Sequence, residues 1–200
     1  MRKLVARAAN VIFEPEREWA VIARENRPWS EAWLRFFAPL ALLAPLANGA
    51  RVLIGGDGAV RVVRDSHAAR EFALISLFSG FLASMLSVLA LAAVTWLLAP
   101  LFAGRRSFHE ACRVVIYAGT PLWLAGAILI APLNRFPLLA IVILIAIIHS
   151  TFLFYLGIHH LLNVPRRDAA ESTAIIMVAG VLFSTVVGYY ASAAGLFPHL

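Results

Sequence analysis

The sequence predicts an all-α fold: a polytopic bundle of five transmembrane helices with an amphipathic segment at its N-terminus. Three observations predict it. Hydrophobic residues make up 62% of the 200 residues and charged residues only 14%, against roughly 45–50% and about 25% in soluble domains. Uncharged runs recur near the length of about 20 residues that crosses roughly 30 Å of hydrocarbon as a helix. The 17 Lys and Arg residues fall at the N-terminus and between those runs, not in one stripe. A globule of this size would lack the polar residues to cover its surface. Disorder and fibrous repeats are excluded by the same composition.

Residues 1–33 form the first unit, a cytoplasmic or interfacial amphipathic segment. Leu4, Ala8, Val11 and Ile12 fall at helical spacing, with Arg2, Lys3, Arg7 and Asn10 elsewhere on the wheel. Phe13-Glu14-Pro15-Glu16 reads as a turn, after which Trp19, Ile22 and Ala23 share a face. Trp29 and Trp33 follow just before the first apolar run, as interfacial tryptophans do.

Residues 34–200 form the second unit, with spans at about 34–54, 72–100, 114–131, 137–163 and 172–196. The first is the weakest, because it holds Pro39, Pro45 and Asn48 and ends near Arg51; a kinked helix is expected. The uncharged run from Phe72 to Gly104 is longer than a bilayer core, so tilt or a stop near Pro100 is expected. Pro121 lies inside the third span and Pro132 closes it; the fourth starts at Pro137 and stops before Pro165. Ser172 is a candidate N-cap for the fifth, with Gly195 and Pro198 as stop signals.

Charge orients this array. With five spans, the N-terminal side (through Arg35), the 105–113 loop and the 164–171 loop share twelve Lys and Arg, and the opposite side holds five. Twelve against five predicts a cytoplasmic N-terminus and an external C-terminus. The net charge of +6 therefore reflects topology and contact with the lipid bilayer, and no nucleic-acid partner is expected.

Small residues recur every four positions in two spans: Ser76, Gly80 and Ser84, and again Gly180, Ser184, Gly188 and Ser192. Such ladders let helices approach closely. Packing within the monomer is the first expectation, and a homo-oligomer or a membrane-protein partner is the alternative.

Polar residues at depth are functional candidates. His149 lies near the middle of the fourth span, with Thr95 or Tyr117 as expected hydrogen-bond partners. His160 lies three turns on, and His109 and Glu110 open the third helix on the same side, so a His109/Glu110/His160 cluster is conceivable. A histidine at an interface is more often hydrogen-bonded than ligating, so neither a metal nor a cofactor is expected. Cys112 is the sole cysteine, which rules out an intrachain disulfide and a cysteine-based zinc site. No carboxylate lies deep in a span, which argues against proton-coupled transport. G-x-S-x-G, H-E-x-x-H and phosphate-loop patterns do not occur, and no enzyme activity is expected.

Several short stretches resemble one family. Glu14-Pro15-Glu16-Arg17-Glu18-Trp19 resembles the Pro…Trp entry of bacterial Yip1-domain proteins. Phe102-Ala103-Gly104 with Ser107-Phe108 resembles their loop between helices two and three, and Tyr117-Ala118-Gly119-Thr120-Pro121 the Tyr–x–x–x–Pro of the third helix. Tyr155-Leu156-Gly157, Leu161-Leu162 and Val164-Pro165 resemble the end of the fourth helix. The likeness runs from about residue 8 to about 192. It implies a five-helix integral membrane protein with a cytoplasmic N-terminus, and draws attention to Tyr117, Pro121 and Tyr155. Eukaryotic relatives associate with Rab GTPases in vesicle traffic. Their D-L-Y-G-P-x-W motif does not occur here, where only Pro15 and Trp19 echo it, so Rab-type GTPase binding is not expected. The single Lys among many Arg suits a high-GC bacterial source, hence the cytoplasmic (inner) membrane.

The function expected is that of a non-enzymatic scaffold or adaptor in membrane organisation or trafficking-like processes. The alternative is an oligomeric channel or transporter for a small molecule or ion. That alternative needs a continuous polar line including Asn48, Tyr117, Thr120 or His149.

Overall fold

The computed structural model describes residues 2–25, 28–54, 66–127 and 136–193, and every regular element among them is helical. Two N-terminal helices, α1 (Arg2–Phe13) and α2 (Pro15–Arg24), form a hairpin. Pro15 at the first position of α2 needs no N–H partner, and Glu16 and Glu18 in its first turn complement the helix dipole.

The next stretch is nearly continuous helix: α3 (Trp29–Ala32), a π turn over Trp33–Phe37, α4 (Ala38–Ala41) and α5 (Leu43–Ile54). Pro39 removes a backbone donor just after the π turn, and the widened turn is the local adjustment a proline imposes. The first apolar run, expected to be a kinked span, is thus an interrupted helix.

α6 (Ser66–Leu98) is 33 residues long and passes into a 3-10 turn, Ala99–Phe102, at Pro100. Ala103 adopts a left-handed φ of 55°, and Gly104 N donates to Ala99 O at 3.0 Å, closing the helix end. A Cβ on Gly104 would collide with Val164 and the Ala99 carbonyl, so only glycine fits between these elements.

α7 (Phe108–Ala118) starts at Ser107, whose side chain accepts from Glu110 N at 3.3 Å in a Ser-x-x-Glu cap. It ends at Gly119, and α8 (Thr120–Ala127) continues beyond, so the third apolar run is two helices with Pro121 buried in the first turn of the second. α9 (Phe136–Leu162) ends at Asn163, also left-handed with φ 55°. α10 (Arg166–Ala193) begins directly after Pro165. Ser172 is therefore no N-cap: it lies inside α10, and its hydroxyl donates to Ala169 O at 3.0 Å.

α7 is the hub. Residues 111–118 are all buried. α3, α6 and α9 pack around it; α6 also meets α5 and α10, and α9 also meets α8, α10 and α2. Gly80 of α6 faces Pro45 of α5, and Gly180 of α10 faces Leu91 of α6. Among the described residues two segments, Ala73–Phe102 and Leu139–Leu162, are long and apolar enough to cross a membrane.

The N-terminal helices are part of this bundle. Trp19 and Ile22 of α2 are fully buried, and Trp19 packs edge-on to Tyr117 with ring centroids 6.2 Å apart.

Candidate functional site

Three helices meet around Arg113 of α7, whose 4% exposure makes it the most deeply buried charge among the described residues. Its guanidinium must be satisfied where it lies. Nη1 bonds Glu110 at 3.0 Å; Nη2 donates to the carbonyl of Ile22 and, at 3.1 Å, to that of Glu25. These carbonyls are at the C-terminal end of α2, where the backbone lacks helical donors and the dipole is negative. Arg113 thereby caps α2 from another helix.

The side chain of Glu25 turns the other way, to Arg7 of α1. Two parallel bonds of 2.8 and 2.5 Å join them as a fork, and Arg7 Nε lies 3.4 Å from Glu18. Asn10 donates to Glu18 at 3.1 Å. The bond to Glu25 holds the Arg7 guanidinium still further above its ordinary pKa, against the opposing effect of burial. Arg7 also lies 5.9 Å from the centre of the Tyr117 ring. The network thus ties α1 to α2 and α2 to α7.

Above it opens a cleft of about 840 Å³. Lys3, Arg7 and Asn10 of α1 line one wall and Glu18, Val21 and Glu25 the next. Glu31, Arg35, Phe36 and Pro39 face them, with Arg113 and Tyr117 also exposed to the space. Arg35 pairs with Glu31 at 2.8 Å and Arg17 with Glu14 at 2.9 Å.

A second polar cluster joins α2 to the ends of α9 and α10. His160 Nε2 lies 3.2 Å from Glu16 of α2, and Arg166 is 3.7 Å from the same carboxylate. His159 Nδ1 lies 2.8 Å from Val164 O, while Arg166 Nε donates to His159 Nε2 at 3.3 Å. This arrangement requires the Nδ1–H tautomer.

The sequence candidates are dispersed. Tyr117 belongs to the cleft; Pro121 is buried one turn beyond it. His109 and His160 open and close different helices, Glu110 is committed to Arg113, and His160 faces Glu16. Among the described residues no group of three or more His, Cys, Asp or Glu gathers as a metal site. His149 is bonded to neither Thr95 nor Tyr117: its Nε2 is buried without a partner among the described residues, and Thr95 donates to Leu91 O at 2.7 Å in its own helix. Tyr155 is half-buried against the core. Ser84 bonds Gly80 O at 2.9 Å, and the Ser76 carbonyl accepts from Ser79 at 3.4 Å. The side chains of Ser184 and Ser192, the surroundings of Gly188, and the side chain of Asn48 lie outside the described residues.

Sequence reasoning missed the Arg7–Glu25–Glu18–Arg113 network. Its signal was present: Lys3, Arg7, Asn10 and Glu14 form one helical stripe, and Glu14, Glu18, Val21 and Glu25 another.

A bundle of apolar helices packed with a folded N-terminal hairpin is the architecture of an all-helical membrane protein. The chain belongs to the Yip1 family, whose Yip1 domain matches residues 9–193. It is 28% identical over 177 residues to "Inner membrane protein YohC" of Escherichia coli strain K12, covering 86% of this chain and 87% of that relative. The protein of the same name in E. coli O6:H1 strain CFT073 matches with the same identity and coverage. No solved structure matches.

Proposed function

We propose that this protein is a non-enzymatic scaffold or adaptor of the bacterial inner membrane, spanning it five times. Its N-terminal hairpin serves as a fixed cytoplasmic cap that presents partners with a shaped surface. The observation that carries this reading is where the polar side chains of the long helices spend their hydrogen bonds. Ser84, Thr95, Thr120, Thr151 and Thr185 each donate to a carbonyl three or four residues back in their own chain, at 2.6–2.9 Å. Hydroxyls that donate in this way need no acceptor on a neighbouring helix. A permeation pathway needs them turned toward one another and toward water. Polarity concentrates at the cap, where ion pairs knit three helices together. The inner-membrane placement is supported by the printed name of the Escherichia coli relatives.

Crosslinking in native membranes followed by affinity capture tests this, paired with solute flux in proteoliposomes. A discrete set of partners, lost when Arg7 and Glu25 are both replaced by Ala, together with no flux, is the expected result. Flux of ions or small solutes through the purified protein alone contradicts it and favours the oligomeric channel.

A further inference from the structure

α1 has three faces. Leu4, Ala8 and Val11 pack on the core, while Lys3, Arg7 and Asn10 line the cleft. Val5 and Phe13 point outward, 64% and 82% exposed. A helix lying flat on a membrane turns its polar face to water. Here the polar face is turned into a cleft and apolar side chains decorate the outside. The lining across from α1 is mixed: the apolar Phe36 and Pro39 lie beside the charged Glu31 and Arg35, and the neighbouring Leu34 is largely exposed. A cavity whose lining joins charged side chains to apolar ones such as Leu4, Val21, Phe36 and Pro39 suits an amphiphile more than a water-soluble ligand. At about 840 Å³ it falls within the roughly 300–1,000 Å³ of small-molecule sites.

Charge narrows the chemistry. Five cations (Lys3, Arg7, Arg17, Arg35, Arg113) and four glutamates (Glu14, Glu18, Glu25, Glu31) line the space. Arg7, Arg17, Arg35 and Arg113 each hold a carboxylate. Lys3 enters no ion pair among the described residues. One ammonium is thus left over on a wall whose other cations are engaged.

We propose that this cleft binds the phosphate-bearing headgroup of a phospholipid from the leaflet on the N-terminal side, with Lys3 as the contact for the phosphate. The apolar residues around the cleft keep the lipid's glycerol end in contact with the membrane. Phe36 and Pro39 lead toward the first apolar run. The site stands whether or not the protein gathers partners.

The test uses the full-length protein in nanodiscs containing phosphatidylglycerol at low mole fraction, with bound lipid counted by native mass spectrometry. Lys3→Glu should reduce retained phosphatidylglycerol by at least about fivefold, the factor for about 1 kcal/mol per basic residue at a lipid surface. Arg167→Glu, at an exposed arginine that does not line the cleft, should leave retention unchanged, and neither variant should shift the melting temperature. Equal retention in wild type and Lys3→Glu overturns the proposal. Equal loss in both variants overturns it too, because the attraction would then be general surface charge. Soluble glycerol 3-phosphate should not displace the lipid at millimolar concentration; displacement there would assign the site to a free phosphate ester instead.

Discussion

Trp19 sits against Gly157 so closely that a Cβ on the glycine would fall 2.8 Å from the indole Cη2 and 3.0 Å from a Val114 methyl. The absence of a side chain on α9 is what lets α2 enter the bundle. Gly157→Ala should destabilise the protein by about 1–3 kcal/mol through overpacking. Trp19→Ala should cost more, about 3–5 kcal/mol, by leaving a void at a fully buried site. Thermal unfolding in detergent, followed by near-UV circular dichroism, measures both. Combining Gly157→Ala with Trp19→Ala should remove part of the glycine effect, because the indole is gone while the Val114 methyl remains.

Arg7 and Glu25 should behave as a unit. Each carboxylate–guanidinium partner is about one-fifth exposed, so the pair is only partly screened. Arg7→Ala and Glu25→Ala should each cost about 1–3 kcal/mol, since each strands the other's charge. The double variant should cost less than the two together, with a coupling of about 0.5–3 kcal/mol. Strict additivity would mean that the fork does not form. Arg113→Ala should loosen α2 as well, seen as faster proteolysis between α1 and α3, because its backbone contacts cap that helix.

Gly180 of α10 meets Leu91 of α6 with no space for a larger residue. Gly180→Leu should therefore lower the melting temperature while leaving the oligomeric state on gel filtration unchanged. A change in oligomer size at constant stability would mean that the small-residue face of α10 packs between chains.

Cys112 lies outside the proposed spans, fully buried at the start of α7, and burial pushes its thiol from an ordinary 9.0 up to about 11. The folded state thus keeps its proton between about pH 9 and 11, where the unfolded state has lost it. Stability from this group is present below pH 9 and lost as pH rises through that window, on the order of 3 kcal/mol. Maleimide labelling at pH 8 should be slow in the native protein and fast in denaturant. Rapid native labelling would contradict the burial of α7.

Much of the fold is legible in the sequence because lipid demands long uncharged helices and proline and glycine punctuate them. Pro100 ends α6, Gly119 divides α7 from α8, and Pro165 separates α9 from α10. Gly80 and Gly180 stand out by spacing alone. The cleft is not legible in that way. Helical stripes show that Lys3, Arg7 and Asn10 share a face, but not what that face meets. Arg7 finds its carboxylate 18 residues away, and Arg113 finds its carbonyl acceptors 91 and 88 residues away. Both contacts exist only once Trp19 has seated α2 on α7 and α9. Charges that read as solvated, orienting residues are in part the fastening of that hairpin.

Five crossings with the N-terminal cap facing the cytoplasm underlie the scaffold proposed above. Cysteine accessibility in intact cells, in a Cys112→Ser background, tests them directly. Arg166→Cys should react only after the inner membrane is made permeable, and Pro198→Cys should react with a membrane-impermeant reagent beforehand. Reaction of both positions from the same side would contradict the five-span arrangement.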